Sequence, residues 1–171
     1  MLSVIVPLYQ NAATIRRCIT SIGDGCEIVV VDDGSTDEGA AEAASFPYVR
    51  LLHQEHQGAA AARNRGIEAA TGEYLWFVDA DDVLLPGAIS AAEEALREHK
   101  PDLFKMGRLV DTTRSQEALD VPCPALTRQV PLADIYGQDK GTLDHTTFLF
   151  SRQYLLSHGL RYPEGMTILE D

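Results

Sequence analysis

Basic residues are scarce: 14 lysines and arginines stand against 26 aspartates and glutamates, for a formal net charge of -12. Nucleic acid and anionic bilayers are held by displacing counterions or meeting lipid charge, so this balance argues against non-specific binding to either. A polyanionic ligand would need a cation as go-between. Cysteine is scarcer still. Cys18, Cys26 and Cys123 form no Cys-x-x-Cys pair, and His53 and His56 have no cysteine pair nearby to complete a zinc site. The odd count suits a reducing compartment. No run approaches the roughly 20 apolar residues of a membrane span. The apolar residues 2–7 have no basic segment before them and read as a strand rather than a signal peptide. Neither Gly-x-x-x-x-Gly-Lys-Ser/Thr nor Gly-x-Gly-x-x-Gly occurs, which counts against a P-loop nucleoside triphosphatase and a dinucleotide oxidoreductase.

What is present is enough for a folded domain, since 45% of the 171 residues are hydrophobic and 23% charged. Residues 2–6 are a β-branched run that Pro7 is expected to stop, because proline cannot donate to a ladder. Ile15, Cys18, Ile19 and Ile22 share one face of a helix over 14–22. Ile28-Val29-Val30-Val31 is continuously apolar, as a parallel strand covered on both faces would be. Ser35-Thr36-Asp37-Glu38 spells a capping box for a short helix ending near residue 44. A strand at 49–52, a helix at 58–70 and a strand at 74–78 follow. Beyond them a helix at 87–98 and a strand at 103–110 are expected, then a polar stretch at 111–124. A helix at 132–136, a strand at 146–150 and a helix at 153–158 complete the chain. Alternation of this kind predicts right-handed crossovers, a mainly parallel sheet with helices on both faces, and a ligand crevice at the carboxyl ends of the strands.

The chemistry gathers at those strand ends. Asp79 and Asp81 stand two apart after the fourth strand, so an extended backbone would turn both carboxylates to one side. Two carboxylates about 4 Å apart repel by roughly 4 kcal/mol at an effective dielectric near 20, and Asp82 adds a third charge. A divalent cation would relieve that repulsion. Oxygen ligands without nearby Cys or His favour Mg²⁺ or Mn²⁺ over zinc. The competing reading is that Asp81 and Asp82 cap the helix near Pro86. Asp33, at the end of the second strand, could accept the imide N–H of a uracil, or equally form an Asx turn at Asp33-Gly34. Pro7 and Tyr9 follow the first strand, where Tyr9 offers a ring to a base or simply packs. Arg63, in the alanine-rich helix, either faces a phosphate or pairs with an aspartate.

Taken in order, Ser3-Val4-Ile5-Val6-Pro7-Leu8-Tyr9-Gln10-Asn11, Val30-Val31-Asp32-Asp33-Gly34-Ser35-Thr36-Asp37, Ala62-Arg63-Asn64-Arg65-Gly66 and Gly72-Glu73-Tyr74 through Asp79-Ala80-Asp81-Asp82 closely resemble family 2 inverting glycosyltransferases of the GT-A fold. The resemblance spans residues 2–98, weakens to 160, and resumes at Glu170-Asp171, which looks like the family's Glu-Asp motif. It implies a Rossmann-like α/β domain with a nucleotide-sugar-binding half at 1–98 and the start of an acceptor-side half at 99–171, cut short at its carboxyl end. Pro7, Tyr9, Asp33, Arg63 and Asp79 would bind the donor nucleotide, Asp81 the metal, and Asp171 would be the catalytic base. The substrates implied are a nucleoside-diphosphate sugar, UDP-sugars favoured, and a glycan, lipid-linked or other hydroxyl acceptor. The expected setting is cytoplasmic, or peripheral at the inner face of the membrane, in cell-surface polysaccharide or glycoconjugate synthesis. A chain halting at Asp171 is expected to bind donor better than it transfers sugar.

Two other classes remain open at this point. A sugar-phosphate nucleotidyltransferase would want a Gly-rich, basic loop for the triphosphate, and residues 7–13 contain neither Gly nor Lys. A non-catalytic nucleotide-sugar sensor or a phosphoacceptor receiver would also use aspartates after strands, the receiver with a late lysine for which Lys105 is a weak match.

Overall fold

The strand residues alternate between two helical layers, and this sorts the core. Leu2, Val4, Val6 and Leu8 pack with Ile28, Val30, Trp76 and buried residues of three helices on one side, while Ile5, Leu75 and Phe77 pack with Ile67 and Leu155 on the other. The structure, a computed structural model, describes residues 1–105 and 148–165. Its elements are β1 (Leu2–Leu8), α1 (Ile15–Ile22), β2 (Glu27–Asp32), α2 (Gly39–Ala44), β3 (Val49–His53) and α3 (Ala59–Ala69). They continue as β4 (Tyr74–Phe77), α4 (Ala88–His99), β5 (Leu103–Lys105), β6 (Phe148–Ser151) and α5 (Arg152–Ser157).

The six strands run in the order β3-β2-β1-β4-β6-β5. β1, β2, β3 and β4 are parallel, and β6 lies antiparallel to both β4 and β5. The mainly parallel α/β architecture read from the sequence is therefore present. From β1 the chain steps outward to β2 and β3, then returns to the other side of β1 with β4. The carboxyl ends of β1 and β4 thus meet at the topological switch point, where open α/β sheets form their ligand crevice.

Three local expectations change. β1 runs through Pro7, which pairs with Val31, and Leu8 pairs with Asp32. Ile5 accepts from Val78 on the β4 side and Leu8 accepts from Asp33 on the β2 side, so Pro7, two residues from Ile5, turns its missing N–H toward β4 just where β4 has ended. The strand loses no bond. The capping box does not form: α2 starts at Gly39 with no side-chain cap. Asp37 takes over, its two oxygens accepting from the Gly39 and Ala12 N–H groups. Residues 79–82 are a turn closed by the Asp82 N–H on the Asp79 carbonyl at 3.0 Å, not an extended segment. Asp81 and Asp82 do not cap the next helix either, because Gly87 occupies that position. The expected elements at 111–124 and 132–136, and the parts of 103–110 and 146–150 at 106–110 and 146–147, lie outside the described residues.

Candidate functional site

Asp33 is 2% exposed at the end of β2, and its carboxylate organises the loop leading into α3. Oδ1 accepts from the Gln57 N–H at 2.9 Å and the Gln54 amide at 2.7 Å. Oδ2 accepts from the Gly58 N–H at 2.8 Å and lies 2.9 Å from His56 Nδ1. The carboxylate therefore binds the main chain just before α3, a favourable place for negative charge at the positive end of a helix. Asp32 ties the end of β3 to the loop after β2, with Oδ2 3.0 Å from His53 Nδ1 and Oδ1 accepting from the Ser35 N–H. Gly34 allows the close approach: its φ is +76°, and a Cβ there would lie 3.0 Å from the His56 main-chain nitrogen.

His56 carries this arrangement to β1. Its ring stacks on Tyr9 with centroids 4.1 Å apart and planes 20° from parallel, and Tyr9 remains 42% exposed. Pro7, two residues earlier, is half-buried within β1 rather than beyond its end. Gln10 follows Tyr9 in the left-handed region at φ 53°, unusual for a side-chain-bearing residue. Its side chain bonds both the Thr36 hydroxyl and the Thr36 N–H, and its own N–H donates to Ser35 Oγ. The loops after β1 and β2 are thereby clipped together.

Four residues on from the start of α3, about 6 Å along its axis, Arg63 donates from Nη2 to Asp79 Oδ1 at 2.9 Å. The Arg63 side chain is 13% exposed. Its guanidinium lies 5.4 Å from the centre of the Tyr162 ring, and its buried Nε has no partner among the described residues. Burial pushes the Tyr162 hydroxyl above its usual range, with Arg63 opposing and Asp79 adding to the shift. Beside this pair, Asp81 is exposed and its carbonyl accepts from Arg17 Nη2. Beneath the turn, the Cys18 thiol donates to the Asp79 carbonyl. Its pKa is pushed up to about 12, by burial first and then by Asp82, Asp79 and Asp81, against the opposing charge of Arg17.

The fold thus places Tyr9 and Asp33, bridged by His56, and the Arg63–Asp79 pair at the carboxyl end of the sheet, with Asp81 on the turn that follows Asp79. Among the described residues no three Asp, Glu, His or Cys side chains converge to hold a metal. Asp171 lies outside the described residues, as does the side chain of Lys105. The sequence patterns single out neither Gln54 nor Tyr162 and treat His56 only as a possible zinc ligand, whereas the fold brings all three beside these groups. Asn64 carried a usable signal, as an amide three residues after Ala61 and three before Ile67 on the buried face of α3. A recess of about 840 Å³ at the opposite end of the strands, lined in part by Glu73, Arg97, Lys100 and Arg152, touches none of these groups.

The chain matches the profile of "Glycosyl transferase family 2" over residues 3–157 and belongs to that family. It is 50% identical over 93 residues to the "Uncharacterized glycosyltransferase YibD" of Escherichia coli (strain K12), covering 50% of this chain and 27% of that protein. It is 37% identical over 112 residues to "Glycosyltransferase GlyG" of Streptococcus pneumoniae serotype 4, covering 60% of this chain and 37% of that protein. Both matches span well under half of the relative's length. The fold superposes on S. aureus TarS 1-349 in complex with UDP-GlcNAc with a TM-score of 0.77 at 25% identity, covering 99% of this chain and 50% of that one. It also superposes on the mannosyltransferase PcManGT of Pyrobaculum calidifontis in complex with GDP-Man and Mn²⁺, with a TM-score of 0.55 at 28% identity, covering 66% of this chain and 36% of that one. The fold class is GT-A. No helix among the described residues is long and apolar enough to cross a membrane.

Proposed function

We propose that the chain binds a nucleoside-diphosphate sugar, UDP-sugars preferred, and transfers the sugar with inversion to a hydroxyl acceptor, such as a glycan or lipid-linked group. The observation that carries this reading is the Arg63–Asp79 pair beside the exposed Asp81 turn, at the same sheet end as the Tyr9 ring. Tyr9 offers an aromatic face to a base. A direct bond from a base to Asp33 would replace the Gln54 or His56 donor, since the Gln57 and Gly58 N–H groups are fixed at the start of α3. Arg63 presents guanidinium N–H groups to phosphate oxygens, and Asp79 orients it. The oxygen-only donor set at Asp81 fits Mg²⁺ or Mn²⁺, which commonly take one or two carboxylates and complete their shell with phosphate oxygens and water. Such a cation would supply positive charge against the departing diphosphate. Crystallised neighbours of this fold hold UDP-GlcNAc in one case and GDP-Man with Mn²⁺ in another, which supports that ligand class.

In this reading the carboxylate of Asp171 takes the acceptor proton as the acceptor oxygen attacks the anomeric carbon, opposite the diphosphate. The bond from that carbon to the diphosphate oxygen breaks, and the nucleoside diphosphate leaves with the electron pair. Residues 1–98 serve the donor and 99–171 begin the acceptor side, with Lys105 and Phe148 paired level with the carboxyl end of β4. The setting is cytoplasmic or at the inner membrane face, in surface polysaccharide or glycoconjugate synthesis. Titration calorimetry with UDP-GlcNAc and GDP-mannose, with and without Mn²⁺, tests the reading. Metal-strengthened binding is expected. Binding of a nucleoside triphosphate alone would point to nucleotidyl transfer, and failure of every nucleotide sugar to bind would overturn the proposal.

A further inference from the structure

After α5 the chain turns at Gly159, and residues 160–165 run back across α3 as a strap. The strap is tied down by one buried side chain. Asn64, 4% exposed, accepts on Oδ1 from the Tyr162 N–H at 2.8 Å and donates from Nδ2 to the Tyr162 carbonyl at 2.9 Å. The second Nδ2 hydrogen goes to Glu164 Oε1 at 2.9 Å. The amide thus pairs with both main-chain groups of Tyr162, as a neighbouring strand would. Its orientation is fixed, because a reversed amide would set oxygen against the carbonyl and the carboxylate. One helical turn further on, Glu68 pairs with Arg161, giving the strap an exposed second tether.

The tether determines where the Tyr162 ring lies. That ring packs edge-on against Phe77 of β4, with centroids 5.2 Å apart, and its face lies under the Arg63 guanidinium. Arg63 in turn reaches Asp79. Adjacent residues of α3 therefore grip the same strap residue in two ways, Asn64 by its main chain and Arg63 by its ring. An Arg63 side chain with a buried Nε and little water around it depends on that ring for its position.

We infer that Asn64 and Tyr162 are positioning residues for the diphosphate end of the donor site, acting through the cation-π contact that holds Arg63 at Asp79. This rests on the donor-binding reading above. It makes the strap part of the donor site although no strap residue need touch the ligand. A loosened strap would cost affinity for phosphate groups and spare affinity for the base.

The test uses the full-length protein and three variants: Asn64→Asp, which sets a carboxylate against two acceptors, Tyr162→Leu, which removes the ring face, and Tyr162→Phe, which keeps it. Hydrogen exchange of residues 160–165 and calorimetry with UDP and with uridine, each with Mn²⁺, are measured on all of them. Asn64→Asp should speed exchange in the strap, and both it and Tyr162→Leu should weaken UDP by about tenfold while leaving uridine within about twofold. Tyr162→Phe should restore most of the UDP affinity that Tyr162→Leu loses. Faster strap exchange with unchanged UDP affinity would overturn the inference, as would equal losses for UDP and uridine. Wild-type protein that binds neither ligand would overturn the donor-binding reading itself, and the inference with it.

Discussion

Gly66 of α3 faces Ile5 of β1 so closely that a Cβ on Gly66 would lie 2.3 Å from Ile5 Cγ2. Ile5 is wholly buried and held in the sheet between β2 and β4, so it has little room to yield. The glycine of Ala62-Arg63-Asn64-Arg65-Gly66 is thus a packing residue, which lets α3 sit low enough for Arg63 to reach Asp79. Gly66→Ala is expected to destabilise by about 1–3 kcal/mol through overpacking, seen as a lower thermal midpoint. Combining it with Ile5→Ala should give less than the sum of the two losses. Strict additivity in that cycle would contradict the contact.

Asp33 holds two main-chain N–H groups, and the second prediction follows from what its loss leaves behind. Asp33→Ala strips the acceptors from Gln57 and Gly58, together with the partners of Gln54 and His56. A cost of about 2–4 kcal/mol is expected in chemical denaturation, since buried donors are left unsatisfied. Amide exchange at residues 54–58 should rise more than elsewhere. Wild-type stability in this variant would mean that the carboxylate is dispensable to the loop.

How much of this was legible beforehand depended on how local the cause was. The buried run Ile28 to Val31 and the Ile15, Cys18, Ile19, Ile22 stripe announced a parallel strand and a helix because period and burial are written in neighbouring residues. Residues 35–38 spell a cap that does not form, because Asp37 finds a partner 25 residues away at Ala12. Pro7 looks like a strand end in the sequence because its harmlessness depends on where β4 stops, which no property of residues 2–7 reveals. The strap of Tyr162 on Asn64 joins positions 98 apart. Only the fold brings them together.

Glu27 gives a pH dependence of definite sign. Burial raises its pKa, but bonds from the Ser3 hydroxyl, from Thr71 and from Gly72 outweigh that and hold it below the ordinary 4.5. A carboxylate held low in the folded state contributes stability that is present above 4.5 and lost as pH falls through the folded value. Wild-type stability should therefore decline below about pH 4.5 more steeply than that of Glu27→Gln. Denaturation curves collected from pH 7 downward compare the two. Parallel declines would remove Glu27 from the account.

Cys18 lies under the acidic turn with its pKa pushed up to about 12, so the reactive thiolate is suppressed by burial and by three aspartates. Cys26 is raised to about 12 as well, by burial and by Glu93 and Glu27. Both should resist iodoacetamide at pH 8 in the folded protein and label fully in denaturant, as read by peptide mass spectrometry. Rapid native labelling of Cys18 would contradict its burial beneath Asp79.

Substitution of Asp81 tests a role in metal binding apart from any role in folding. Its side chain is exposed on a turn closed by main-chain atoms, and Arg17 reaches its carbonyl rather than its carboxylate. Asp81→Asn should therefore leave the thermal midpoint of the free protein within about 1 °C of the wild type, as surface substitutions away from packed features do. If this carboxylate holds the cation, the same variant should lose about tenfold or more of the Mn²⁺-dependent gain in affinity for a UDP-sugar. Binding measured without metal should be equal in the two proteins. Asp79→Asn is expected to behave differently, because it also removes the charge that pairs with Arg63 and so weakens donor binding whether or not Mn²⁺ is present. Calorimetry on the two variants with and without Mn²⁺ gives four comparisons. Identical responses from Asp81→Asn and Asp79→Asn would defeat the division of labour between the two aspartates.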